Sequence, residues 1–116
     1  FYFACNDFYA YDLAITALDW CYQPANDRTS FRTNHAAELL AGYQTVRPLH
    51  EVERQYFNLL CCGAALRFIA TRAYDLFNTP KDALLKMKDP MEYMHILMHL
   101  VDQRPFAKNA KLWEPR

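Results

Sequence analysis

The sequence predicts a mainly α-helical domain, on three observations. Apolar residues make up 53% of the 116, yet only two are glycine, so core material is plentiful and the residue that tight β-turns favour is scarce. Long stretches repeat their apolar positions at helical spacing. Those stretches are bounded by capping residues and by prolines placed where helices stop. Only residues 1 to about 5 read as strand, too few to make a sheet alone. The length suits one domain, 1–116.

Asp7 can cap a first helix running to about Tyr22, interrupted only by Asp12, Thr16 and Asp19 at i, i+4 and i+7. That spacing gives one narrow polar stripe on an otherwise apolar cylinder. The stretch "QPANDRTSFRTN" is a loop by its turn residues, and Asn34 caps a second helix, "HAAELLAGYQTV", which stops before Arg47-Pro48. The longest helix spans "LHEVERQYFNLLCCGAALRFIATRAYDLFN". Leu49 is placed as a hydrophobic staple, Glu53 lies near the third helical position, and Gly63 marks either a kink or close packing. Its centre is expected to be buried, and Thr79-Pro80 ends it. The last helix starts at "DPMEYMHILMHLV", with Asp89 as cap, Pro90 at the first position and Glu92 closing a capping box. Residues 101–116, with Phe106 and Trp113 among polar neighbours, are expected to form a surface tail.

Thirteen basic residues balance thirteen acidic ones and neither sign forms a run, so the sequence offers no field for nucleic acid or an anionic membrane surface. The longest apolar run, Leu59 to Leu66, is under half of the roughly 20 residues a membrane span needs. A basic-then-apolar leader ahead of the body is not expected. Cys5, Cys21, Cys61 and Cys62 all lie in apolar surroundings, and the vicinal pair falls on different faces of a helix. Free thiols in a reducing cytoplasm are therefore expected rather than a disulfide framework.

Several residues have both a chemical and a structural reading. His95 and His99, at i and i+4 beside Met94 and Met98, could share a metal ion; with no third ligand evident, core packing is the better account. Asp12 and Asp19 could form an acid/base couple, but two turns of helix separate them. Arg67 shares a helical face with Thr71 and Asp75, and Arg72 can pair with Asp75 at i, i+3. Tyr9, Tyr11, Trp20, Tyr74 and Tyr93 read mostly as core by their periodicity.

Four blocks, "FYFACNDFYAYDLAITALDWCY", "GYQTVRPLHEVE", "GAALRFIATRAYDLFN" and "KDPMEYMHIL", stand in an order and at spacings that resemble the bacterial homoserine kinases of the aminoglycoside phosphotransferase-like type. In that family a strand carrying Ile-Asp-Phe leads into a Tyr-Asp-Leu-Ala helix. The resemblance covers residues 1 to about 100; it departs at His50, where Thr or Ser is usual, and in the tail past His99. It implies the helical C-terminal lobe of a protein-kinase-like fold, without the N-terminal lobe.

The implied reaction moves the γ-phosphoryl group of ATP, with magnesium, to the hydroxyl of homoserine in threonine synthesis. In the family the magnesium-holding Asp immediately precedes the position of Phe1, and the catalytic and nucleotide-binding loops lie further upstream. The resemblance thus implies a fragment whose partner is the missing N-terminal part of its own polypeptide. By itself that fragment is expected to hold no catalytic residue, metal or cofactor. Asp12 matches the family's structural anchor of the catalytic loop. Arg67 is open to two readings: a grip on the substrate carboxylate through its planar fork, or partly buried intrahelical ion pairs. A kinase for choline or an aminoglycoside is the alternative within the fold, and a free-standing helical interaction module the alternative outside it.

Overall fold

The computed structural model describes residues 9–25, 28–78 and 91–113. The elements are α1 (Tyr9–Trp20), β1 (Tyr22–Ala25), β2 (Arg28–Phe31), α2 (Thr33–Val46), α3 (Glu51–Asn78), α4 (Met91–Gln103), α5 (Pro105–Lys108) and a 3-10 turn over Ala110–Trp113. The domain is mainly α, as expected.

Helix α1 buries Ala10, Leu13, Ala14, Ala17 and Leu18, the i, i+3, i+4, i+7, i+8 pattern of a single face. Three of those five are alanines, which suits close packing on α3, its most extensive neighbour, where Cys61, Ala64 and Ala65 are buried and also small. The polar stripe falls on the opposite side: Asp12 and Asp19 are exposed. At the C-terminal end of α1, where carbonyls lack helical partners, the Arg32 guanidinium donates to the Trp20 carbonyl at 2.9 Å.

The segment expected to be a loop contains an antiparallel hairpin. Tyr22 pairs with Phe31, Gln23 with Ser30, Pro24 with Thr29 and Ala25 with Arg28. Turn residues mark this stretch as a loop, and neither short strand carries the alternating apolar pattern by which a strand is read. Burial gives the hairpin its support: Tyr22 is buried, and Phe31 packs on His99 and Phe106. Helix α2 begins one residue earlier than the expected cap. Asn34 lies inside the helix, and Arg32 occupies the cap position without a side-chain hydrogen bond. Its stop before Arg47-Pro48 is as expected.

The start of α3 follows the sequence reading. The His50 N–H donates to Glu53 Oε1 at 2.9 Å, Arg47 pairs with the same carboxylate at 3.1 Å, and Leu49 is buried beneath the first turn. Gly63, however, marks neither a kink nor a close approach. The helix is continuous through it, and a Cβ there would meet nothing within 4 Å. Nor is the centre buried all round: Phe57, Asn58, Cys61, Ala64 and Ala65 are covered, whereas Leu59 and Leu66 are 65% and 55% exposed. The expected capping box of the last helix rests on Asp89 and Pro90, outside the described residues, as do Asp7, Cys5 and the strand-like opening.

Residues 101–113 depart furthest from expectation. Their polar members lie on the surface, but Phe106 and Leu112 are almost wholly buried. Arg104 adopts a left-handed conformation, φ 44°, which turns the chain so that Pro105 can open α5 and Phe106 can point inward. Phe106 meets Phe57 edge-on at 4.9 Å and Phe31 at 5.6 Å, and Trp113 meets Phe57 at 5.5 Å. The Trp113 indole donates to the Phe106 carbonyl at 2.9 Å, which satisfies its one donor. Apolar residues spaced too irregularly for a long helix still form core when two short turns each deliver one side chain.

Candidate functional site

Asp12 stands on the outer face of α1, one turn before Thr16, whose hydroxyl donates to the Asp12 carbonyl at 3.1 Å. Its carboxylate is exposed and accepts no hydrogen bond from any described residue. Asp19 lies about 10 Å further along the axis at 1.5 Å per residue, so the two carboxylates do not converge. Asp19 instead accepts from the Tyr93 hydroxyl of α4 at 3.3 Å.

Arg67 lies on the exposed side of α3. Its carbonyl accepts from the Thr71 hydroxyl at 2.9 Å, and its guanidinium has no described partner. Arg72 reaches across to α4, where it pairs with Glu92 at 3.1 Å and lies 4.2 Å above the Tyr93 ring. Tyr93 stacks on Phe68 at 5.1 Å. Asp19, Phe68, Arg72, Glu92 and Tyr93 therefore form one network joining α1, α3 and α4. Burial and the neighbouring Asp19 carboxylate both push the Tyr93 hydroxyl above its ordinary range, so it stays a neutral donor. The contact to Glu92 joins residues 20 apart, which no local spacing predicts.

Of the two histidines at i and i+4, His99 is engaged in packing, as expected. Its Nδ1 lies 2.7 Å from the Tyr22 hydroxyl, and its ring stacks on Phe31. Burial lowers its pKa, partly offset by Asp102, which favours the neutral ring. His95 is half-buried one turn earlier. No three His, Cys, Asp or Glu side chains among the described residues could hold a metal ion together. The thiols of Cys21, Cys61 and Cys62 are free. Burial pushes Cys21 up to about 12 and raises Cys61 well above the ordinary thiol value, so both stay protonated and unreactive at neutral pH. No described helix is long and apolar enough to cross a membrane.

Asn58 was not singled out by sequence reasoning. It is the one buried polar side chain among the described residues. Its amide donates to the Leu100 carbonyl at 3.1 Å and accepts from the Phe106 N–H at 3.3 Å, tying α3 to the end of α4 and the start of α5. The only signal available was a lone amide in an otherwise apolar turn. Two open clefts lie nearby. One is lined by Glu51, Arg54, Gln55, Phe106 and Trp113, the other by Leu97, His99, Val101 and Asp102. Neither is lined by Asp12 or Arg67, both of which are exposed.

Against known proteins, the chain is 50% identical over 99 residues to a homoserine kinase of Gluconobacter oxydans, covering 85% of this chain and 30% of that one. A homoserine kinase of Acidiphilium cryptum is 50% identical over 93 residues, 80% of this chain and 28% of its own. One from Rhodospirillum rubrum is 47% identical over 97 residues, 84% and 29% respectively. The chain thus spans 28–30% of the length of these curated relatives. No protein-family model matches it.

Proposed function

We propose that the chain is the helical C-terminal part of a homoserine kinase of protein-kinase-like fold, which passes the γ-phosphoryl group of ATP to the hydroxyl of homoserine in threonine synthesis. The observation that carries this reading is 47–50% identity to proteins of that name along 80–85% of the chain. Phosphoryl transfer depends on orientation and on neutralising charge, which takes metal ligands, a positioning carboxylate and a phosphate cradle. The described residues do not fit a magnesium site, since no three suitable side chains converge. Metal and nucleotide would be held by the remainder of a complete cytoplasmic enzyme, and the chain alone is expected to transfer no phosphoryl group.

Two residues take assigned parts. Asp12, an exposed carboxylate with unfilled acceptor positions, would brace the catalytic loop by accepting its backbone N–H groups. Arg67, an exposed guanidinium without a described partner, would fork onto the homoserine carboxylate.

The complete polypeptide should phosphorylate homoserine with magnesium-ATP; no turnover with homoserine alongside turnover of choline or an aminoglycoside would overturn the assignment. Within it, Arg67→Ala should weaken homoserine binding by about 1.5–3 kcal/mol while ATP saturation is unchanged. Unchanged homoserine saturation with a lower melting temperature would leave Arg67 a helix-stabilising role only. Asp12→Ala should lower turnover and stability together in the complete enzyme but cost little in the isolated chain.

A further inference from the structure

The outer side of α3 carries an uncharged stripe along its whole length. Val52, Tyr56, Leu59, Gly63, Leu66 and Ala70 follow one another at alternating steps of four and three, and Ala73 and Phe77 continue the series. This is the spacing of a coiled-coil seam. The large members are well exposed: Val52 63%, Tyr56 50%, Leu59 65%, Leu66 55% and Phe77 85%, with Tyr74 beside them at 68%. Gly63 and Ala70 are exposed too, and the space outside Gly63 is open. If each aromatic offers half or more of about 200 Å², the three alone expose roughly 300–400 Å², and the aliphatic members take the stripe beyond the few hundred Å² usual for a monomer.

The order of side-chain sizes along the stripe says what fits it. Lay a second α3 antiparallel on the first, about a two-fold axis at the height of residues 64 and 65. Tyr56 then meets the small Ala73, Leu59 meets Ala70, and Leu66 meets Gly63; at the ends Val52 meets Phe77. Every layer sets a larger side chain against a smaller one, and the two-fold repeats each layer, so the stripe is complementary to itself. The flanks of that pairing bring together Cys62 with Ile69 and Gln55 with Leu76 on one side, and Leu60 with Arg67 and Glu53 with Tyr74 on the other, without like charges opposed. A seam from residue 52 to residue 77 runs about 39 Å at 1.5 Å per residue.

We propose that this stripe is a self-association surface, through which two copies of the chain pair their α3 helices antiparallel. The proposal does not depend on the catalytic reading, because it uses only the pattern of sizes and exposure along one helix. Sedimentation equilibrium on the intact polypeptide should show a dimer. Leu66→Glu, at an exposed position, should raise its dissociation constant by at least about tenfold, since a charge would be buried in two layers. Gly63→Leu should do the same by setting leucine against leucine. The size swap Gly63→Leu with Leu66→Ala should restore the dimer, because it only reverses which helix supplies the larger side chain. A monomer at every concentration reached would overturn the proposal, including one in which another part of the same polypeptide shields the stripe from solvent. So would a dimer indifferent to Leu66→Glu, or a size swap no better than Gly63→Leu alone.

Discussion

The two halves of α3 are one continuous helix in opposite surroundings. The first half, to Ala65, contributes Phe57, Asn58, Cys61, Ala64 and Ala65 to the core and is crossed by α1, α4 and α5. Beyond Ala65 no residue of the helix is buried; Phe68 and Ile69 pack partly against the core, and Phe68 and Arg72 meet Tyr93 and Glu92 of α4. Apolar residues are about as frequent in the second half, eight of 13, as in the first, nine of 15, so composition does not separate the halves. Coverage does: a helix holds its own backbone hydrogen bonds wherever it runs, but gains the larger hydrophobic contribution only where another element lies across it.

The contrast is broken most sharply at its two phenylalanines. Phe57→Ala should cost about 3–5 kcal/mol in chemical unfolding, because Phe106 and Trp113 would line the cavity left behind. Phe77→Ala, at 85% exposure, should stay within about 0.5 kcal/mol when measured where the chain is monomeric. Comparable losses at both sites would mean that the second half is covered in solution.

Asn58→Ala tests the polar tie of the first half. It strands the Leu100 carbonyl and the Phe106 N–H, each at about 1–3 kcal/mol, and hydrogen exchange should show α5 loosening before α1. In the second half, Arg72→Met keeps the stem but removes the cation over Tyr93 and the pair with Glu92. A loss of about 1 kcal/mol is expected, since Glu92 is 40% exposed to solvent screening.

The smallest effect lies at the start of the helix. Burial pushes the Glu53 carboxyl up, but the His50 N–H and the Arg47 guanidinium outweigh it and leave the group below its ordinary range. Its contribution is therefore complete above about pH 4.3, the ordinary glutamate value, and is lost as pH falls through the lower folded value. Exchange protection in the first turn of α3 should drop in that acid window while the second half is unchanged. Glu53→Gln should remove most of the pH dependence.

Local chemistry was enough for the helix class and for most boundaries. Helices α1 and α4 are legible from apolar spacing, the end of α2 from Arg47-Pro48, and the start of α3 from Leu49 and Glu53, because caps, staples and prolines act within one turn. The partners of His99, the Arg72 contact to Glu92 and the role of Asn58 were not legible. Each joins residues 20 or more positions apart, and nothing within a turn says which distant group will arrive.

The hairpin at 22–31 and the burial of Phe106 were misread for the same reason. Short strands and single-turn helices have little stability of their own, and these exist because Tyr22, Phe31, Phe57, Phe106 and Trp113 close on one another. The sequence by itself determined where α2 ends, where α3 begins and which side of α1 is apolar, since hydrogen bonds and sterics within a few residues settle those points. Only the tertiary structure decided which apolar faces are covered. Coverage is a property of pairs of elements, and for the stripe on α3 the pattern of large and small residues became informative once its exposure was known.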